Sequence, residues 1–94
     1  MSLSKCVAKA TNKPESYVQA IVEDGATISF GGSLEPSAFV VVRGVGGLSP
    51  DVNKNLSKAI GSELKSQLSV DPARVYLNFE NLKGSDWGWN GGTF

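Results

Sequence analysis

The sequence predicts a single α/β domain, and three observations support this prediction. The chain has 94 residues, of which 40% are hydrophobic and 19% charged, as in globular proteins with one small core. Residues 38–45 are its most apolar stretch, and residues 50–69 repeat apolar side chains at helical spacing. The segments KPESYVQAIVE and DPARVYLNFE also resemble each other, each following a helical pattern with a proline turn and a strand.

The first half of the chain predicts a helix followed by a strand. A helical stripe of apolar residues starts the chain, and Pro14 ends it because the residue before a proline disfavours helical geometry. Residues 17–23 are rich in β-formers and predict a strand, and TISF at 27–30 predicts a short second one after the Asp24-Gly25 turn. The members of the first stripe are Leu3, Cys6, Val7 and Ala10.

The second half predicts strand, helix and strand. Residues 38–45 read as a strand buried on both faces, as parallel strands usually are. Ser49 is a good N-cap and Pro50 suits the first helical position, so a helix is expected from there to about Ser69. Residues 74–80 form the last strand. The helix is expected to bury Val52, Leu56, Ala59, Ile60, Leu64 and Leu68, and the strand to alternate Val75, Leu77 and Phe79 with Tyr76, Asn78 and Glu80.

The internal repeat makes the start of the chain notable. The second copy is a complete right-handed βαβ crossover, whereas the first copy has only its helix and its second strand. By symmetry we expect the missing leading strand to lie upstream of Met1, so that the chain begins inside its first helix. The alternative is that a short helix simply begins the domain.

Composition excludes several classes of function. Nine basic residues balance nine acidic ones without a long run of either sign, so neither nucleic acid nor an acidic membrane surface is an expected partner. No apolar run has the length of a membrane span, and the first residues lack the apolar centre of a signal peptide. The absence of histidine excludes histidine-based triads and zinc sites, and Cys6, the single cysteine, cannot form an internal disulfide.

Four motifs together resemble the macrophage migration inhibitory factor family: NKPESYV, SFGGSLEPSAF, RVYLNF and WGWNGGTF. The similarity covers nearly all of residues 1–94, as one domain. It implies a tautomerase fold of two pseudo-symmetric βαβ units, with a four-stranded mixed sheet, two helices on one face, and the first strand missing from this chain. It also implies a homotrimer, in which TISF and WGWN would extend a neighbour's sheet and cover its edges.

The resemblance further implies chemistry. Family members catalyse keto–enol tautomerisation of phenylpyruvate-like and D-dopachrome-like compounds without a cofactor. Their catalytic group is an N-terminal proline whose secondary amine lies in an apolar pocket, which lowers its pKa so that it acts as a base. Animal members are also cytokines released without a signal peptide. The implied location is therefore the cytoplasm, or outside the cell without a signal peptide, with a protein receptor as a further partner.

Carried over residue by residue, the resemblance assigns four substrate-binding positions and no catalytic one, because this chain begins MSL and lacks the family's proline. Lys13 would meet the substrate carboxylate and the backbone N–H of Val45 would bind substrate. The neighbouring subunit would contribute Tyr76 as an aromatic wall and Asn78 as a hydrogen-bond donor. The alternatives are a solvated lysine, a core valine and an ordinary exposed strand face.

Three functions therefore stay open. The first is a tautomerase acting on small aromatic keto or enol acids, with its proline base outside these residues. The second is a cytokine-like binding protein whose pocket persists without catalysis, and the third is a truncated, inactive fragment that exposes apolar surface. A thiol-redox role is not carried over, because Ser37 and Val40 stand where some animal members have a Cys-x-x-Cys pair. Trp89 and Phe94 are expected to pack rather than to catalyse.

Overall fold

A computed structural model of the protein describes residues 2–94. Two helices and one pair of longer strands make up most of it, and a short hairpin closes the chain. The elements are α1 (Ser2–Thr11), β1 (Ala38–Val45), α2 (Pro50–Leu68), β2 (Val75–Leu82), β3 (Gly88–Trp89) and β4 (Gly92–Thr93).

The strands β1 and β2 pair in parallel, in a register that runs from Ala38 opposite Val75 to Val45 opposite Leu82. Parallel neighbours need a long crossover connection, and α2 supplies it. This confirms the βαβ unit predicted for the second half of the chain.

The boundaries of α2 follow from local chemistry at both ends. The Ser49 hydroxyl accepts a hydrogen bond of 3.2 Å from the backbone N–H of Val52, and Pro50 begins the helix. At the other end Ser69 adopts a left-handed conformation with φ of 57°, and its N–H bonds back to the last turn. The predicted helix therefore begins and ends where the sequence indicated.

The core lies between α2, α1 and one face of the strand pair. Leu56, Ile60, Leu64 and Val70 are buried at its centre. Half-buried residues of the first stripe pack against them, as does Val52 of α2, which confirms the apolar faces predicted for both helices at these positions. Leu68, in the last turn of α2, was predicted to be buried but is 59% exposed. The half-buried set includes Leu3, Cys6, Val7 and Ala10 from α1, with Val40, Val42, Leu77 and Phe79 from the strands.

The prediction that β1 is buried on both faces was wrong. The side chains of Phe39 and Val41 point away from the core and are 64% and 46% exposed. In β2, Tyr76 is similarly exposed at 65%. The reason is that α1 and α2 pack on the same side of the sheet, so within residues 2–94 no helix or strand covers the opposite face, here called the open face.

The strand predicted at 17–23 is not formed. Tyr17 closes a short 3₁₀ turn, and Ile21 and Val22 are 76% and 55% exposed in a segment without regular structure. A strand needs a neighbouring ladder, and none of the described residues supplies one. TISF forms only an isolated bridge between Phe30 and Ser33.

The glycine-rich tail folds on itself as a hairpin, with β3 and β4 antiparallel. Asn90 and Gly91 form its two-residue turn with φ of 50° and 78°, the geometry that an Asn-Gly pair favours. The WGWN segment thus has a partner inside its own chain, and its predicted contact with a neighbouring subunit stays a prediction.

Replacement of Leu56 by Ala is expected to lower the free energy of unfolding by about 2–5 kcal/mol, because the side chain is fully buried and its removal leaves a cavity. Leu68→Ala is the matched control on the same helix, and the exposed position should cost less than about 1 kcal/mol. Urea unfolding followed by circular dichroism measures both. Equal losses for the two variants would contradict the placement of the core.

Candidate functional site

Lys13 lies at the corner where α1 ends. Asn12 takes a left-handed conformation with φ of 57°, and the backbone N–H of Lys13 donates to the carbonyl of Ala8 over 3.0 Å. Pro14 then sends the chain away from the helix in an extended conformation. This corner directs the half-buried Lys13 side chain toward the end of β1.

The ammonium of Lys13 is held by two backbone carbonyls. Its Nζ donates to the oxygen of Val45 over 3.2 Å and to that of Gly46 over 3.1 Å. A lysine ammonium has three N–H donors. A fixed cation with one donor left over after these two contacts can bind a carboxylate, so the geometry suits the predicted role of Lys13.

The glycine at position 47 makes this arrangement possible. A Cβ atom placed on Gly47 would come within 2.9 Å of Lys13 Cε and 3.2 Å of its Nζ, and the residue has a φ of 77° that disfavours other side chains. Gly46 has a similar φ of 68° but open space around its Cβ position. The contact between Gly47 and Lys13 was not predicted from the sequence.

Of the four predicted binding residues, the structure brings together Lys13 and Val45. The contact uses the carbonyl of Val45, whereas the predicted substrate contact uses its N–H. Tyr76 and Asn78 lie on the open face, opposite Phe39 and Val41. Val45 lies opposite Leu82 in the register, so Asn78 is four positions and Tyr76 six positions back along β2 from that level. These separations are about 13 Å and about 20 Å along the strand. Within one chain these two residues do not join Lys13, and their contribution to a neighbour's site stays a prediction.

Tyr76 lines a cleft of its own on the open face. Its ring packs against Phe30 with 4.8 Å between ring centroids and a tilt of 40°. The cleft has a volume of about 320 Å³ and is mostly apolar. Its other lining residues are Ile28, Ser29, Gly31, Ala38 and Phe39.

Arg74 fixes one wall of this cleft and was not singled out from the sequence. Its guanidinium donates to backbone carbonyls of residues 30–36, and it lies over the Phe30 ring at 5.3 Å. Arg74 is the first residue of the RVYLNF motif, but neither that motif nor the resemblance assigned it a role.

The two aromatic side chains of the tail, Trp89 and Phe94, contact each other within the chain. The rings of Trp89 and Phe94 stack with 5.9 Å between centroids and 17° between planes. The backbone N–H of Phe94 also donates to the carbonyl of Trp87 over 3.2 Å. These contacts give the two aromatic side chains a structural explanation.

Three further observations concern the cysteine thiol, metal binding and membrane crossing. Cys6 is half-buried in α1, and burial, with a smaller effect from the nearby Glu63 charge, raises the pKa of its thiol. Among residues 2–94 no cluster of acidic, cysteine or histidine side chains could hold a metal ion. Neither helix in this part of the chain has the length and apolarity needed to cross a membrane.

Comparison with known proteins places these features in a family. The family model described as macrophage migration inhibitory factor matches residues 1–94. A homologue of this factor from Trichinella spiralis is 39% identical over 93 residues, covering 99% of this chain and 82% of the relative. The factor from Xenopus tropicalis is 37% identical, covering 98% and 80% respectively.

Solved structures agree with the fold. The factor from Toxoplasma gondii superposes with a TM-score of 0.92 at 33% identity, covering 99% of this chain and 82% of that one. A fused 4-OT asymmetric trimer superposes with a TM-score of 0.81 at 20% identity, covering 98% and 78%, and this likeness concerns the fold alone. The predicted α/β fold class is thereby confirmed.

Gly47→Ala is expected to displace the Lys13 ammonium from its two carbonyls, because the added methyl group would overlap Lys13 Cε. Acetylation of Lys13 by acetic anhydride, mapped by mass spectrometry, should then be faster than in the wild type. Gly46→Ala is the control. Both variants place alanine in a left-handed backbone conformation, at a cost of about 1–2 kcal/mol, but only Gly47→Ala brings a methyl group against Lys13. An unchanged Lys13 acetylation rate in Gly47→Ala would refute the contact.

The raised pKa of Cys6 predicts a slow thiol. Because the folded state favours the protonated form, this group stabilises the fold below its ordinary pKa of 9.0, and the contribution declines as the pH rises through and above that value. Alkylation by iodoacetamide at pH 8 should therefore be slower in the folded protein than in urea, and should increase with pH. Equal rates in both states would show that Cys6 is neither buried nor perturbed.

Proposed function

The chain belongs to the macrophage migration inhibitory factor family, and from this premise we propose that it serves keto–enol tautomerisation of small aromatic keto or enol acids. Phenylpyruvate-type and dopachrome-type compounds are the proposed substrate class, and no cofactor takes part. The proposed site is formed between subunits of a homotrimer, with Lys13 and Val45 from one subunit and Tyr76 and Asn78 from the next.

The observation that carries this proposal is the position of Lys13. Two carbonyls hold its ammonium at the carboxyl end of β1 and leave a donor for an anionic ligand. A cation that is already oriented loses less conformational entropy when it binds a carboxylate than a freely moving surface lysine does. This feature favours an acid as the ligand.

The homotrimer is supported by the open face. Phe39, Val41 and Tyr76 expose large apolar side chains next to one another in register. A contiguous apolar patch on a small soluble domain is typical of a surface that another subunit covers. The separation of about 13 Å between the levels of Asn78 and Val45 also requires a second copy if both residues are to contact one ligand.

In the proposed reaction the residues of this chain bind and orient the substrate. Lys13 neutralises the carboxylate, Tyr76 stacks beside the aromatic ring, and Asn78 donates to a substrate oxygen. Proton transfer between carbon and oxygen needs a base, which the family resemblance assigns to an N-terminal proline amine. Residues 1–94 hold prolines at positions 14, 36, 50 and 72, each with its nitrogen in a peptide bond, so none of them can accept the proton.

The position of Lys13 also favours a second candidate function for residues 1–94, which is binding without catalysis. With Lys13 in place and no prolyl amine among these residues, they could bind an aromatic acid without converting it. Such a binding protein would retain the pocket and lose the chemistry.

Phenylpyruvate tautomerisation, followed by ultraviolet absorbance, distinguishes the two functions. We expect the 94-residue chain to bind phenylpyruvate without accelerating the reaction, and a form extended upstream to begin Met-Pro to catalyse it. In the extended form Lys13→Ala should raise KM about 10- to 100-fold, because one charge-assisted hydrogen bond to the carboxylate is lost.

Lys58→Ala is the matched control, since it removes an exposed lysine of α2 on the opposite side of the sheet from Tyr76 and Asn78. Its KM should equal that of the unmodified protein. Tautomerase activity in the 94-residue chain would contradict the requirement for the proline amine. An unchanged KM in Lys13→Ala would remove Lys13 from the site.

A further inference from the structure

Arg74 is placed by a tight turn just before β2. The side-chain carboxylate of Asp71 accepts a hydrogen bond of 2.9 Å from the backbone N–H of Ala73. This contact caps a 3₁₀ turn, Pro72–Arg74, of which Arg74 is the last residue. The backbone N–H of Arg74 donates to the carbonyl of Asp71 over 2.8 Å. The turn directs the Arg74 side chain toward the loop at residues 30–36.

The guanidinium of Arg74 holds this loop at four backbone oxygens. Its Nε donates to Pro36 over 3.0 Å and its Nη1 to Phe30 over 3.3 Å. Its Nη2 donates to both Ser33 over 3.1 Å and Glu35 over 3.0 Å. A planar guanidinium has five donors and can bind four carbonyls in this way, whereas a lysine ammonium has only three donors on one nitrogen.

The loop has little else to fix it. Gly31 and Gly32 have φ of 60° and 78°, and Leu34, its large apolar residue, is 72% exposed. One backbone bridge joins Phe30 to Ser33. The contacts with Arg74 are therefore the main restraint between this loop and the strand pair.

Through Phe30 this restraint reaches Tyr76. Arg74 binds the carbonyl of Phe30 and lies 5.3 Å from the centre of its ring, and that ring lies 4.8 Å from the ring of Tyr76. Tyr76 is 65% exposed on the open face, where a tyrosine side chain would otherwise sample several rotamers. The three side chains thus form a stack that selects one orientation of the Tyr76 ring.

We propose that Arg74 is a positioning residue of the candidate site: by clamping residues 30–36 it holds Phe30 against Tyr76 and presets the aromatic wall that the bound acid meets. The inference rests on the proposed function for the role given to Tyr76. The clamp acts by preorganisation, since a ring fixed before binding need not be ordered by the ligand.

Arg74→Gln tests the clamp, with Arg43→Gln as the matched control. Both changes remove one guanidinium, but Arg43 forms an exposed ion pair of 3.0 Å with Glu80 and has no contact with the loop among the hydrogen bonds of residues 2–94. The ligand probe is trans-cinnamate, a planar aromatic carboxylate that cannot tautomerise. Its dissociation constant is measured by calorimetry, and the Tyr76 ring protons are followed by NMR without ligand.

In Arg74→Gln we expect cross-relaxation between the Phe30 and Tyr76 rings to disappear and cinnamate binding to weaken about tenfold, as when one flexible side chain must be ordered on binding. Arg43→Gln should change neither quantity, and Arg74→Lys should recover only part of the affinity. Phe30→Leu keeps the backbone carbonyls that Arg74 binds but removes the aromatic ring, so it should weaken cinnamate binding as much as Arg74→Gln does. It provides the test if Arg74→Gln unfolds.

The outcomes separate the two proposals. If the wild-type protein does not bind cinnamate, the proposed function is wrong. The cross-relaxation between the Phe30 and Tyr76 rings would still show whether Arg74 orients Tyr76. If Arg74→Gln or Phe30→Leu binds cinnamate as tightly as the wild-type protein does, the inference is overturned. Loss of the ring contact without loss of affinity would reduce Arg74 to a structural anchor and would also overturn it.

Discussion

The parallel pairing of β1 with β2 is the constraint on which the rest of the structure depends. A parallel pair requires a crossover, and the crossover helix must pack on one side of the strands. Leu56, Ile60 and Leu64 bury that side, and α1 joins them there. The other side stays open within residues 2–94, with Phe39, Val41 and Tyr76 exposed on it. One face of the same pair thus forms the core, and the other offers an apolar surface to a partner.

The same geometry divides the predicted binding residues between two regions of the sheet. Lys13 binds the carbonyls at the carboxyl end of β1, the end where ligands of parallel sheets commonly bind. Tyr76 lies near the amino end of β2, on the open face, where Arg74 and Phe30 support it. A small ligand cannot span the roughly 20 Å between these two levels. Under our proposal the site is therefore completed only by assembly, which gives the open face a functional meaning as well as a structural one.

Features encoded by local chemistry could be predicted from the sequence. Ser49, Pro50 and the helical repeat that follows them determine α2, and the alternation of residues 75–80 indicates which side chains of β2 face the core. The strand at 17–23 failed because pairing depends on a neighbour, and high β-propensity cannot create one. The burial of β1 was overestimated for a similar reason: a run of valines does not reveal how many elements cover it.

The site was predictable only where a resemblance named its residues. Lys13 and Val45 come into contact as that resemblance allows, but the use of the Val45 carbonyl and the need for Gly47 are geometric facts of the folded corner. The four hydrogen bonds of Arg74 join residues about 40 positions apart, and no local pattern encodes them.

The central claim is that the binding site is shared between subunits, and a complementation measurement tests it most directly. Lys13→Ala and Asn78→Ala variants are prepared separately, unfolded, mixed in equal amounts and refolded together, and cinnamate binding is measured by calorimetry. If neighbours share the site, each variant alone binds weakly, while about a quarter of the sites in the mixture combine an intact Lys13 with an intact Asn78 and regain wild-type affinity. A mixture that binds no better than its components would contradict the account.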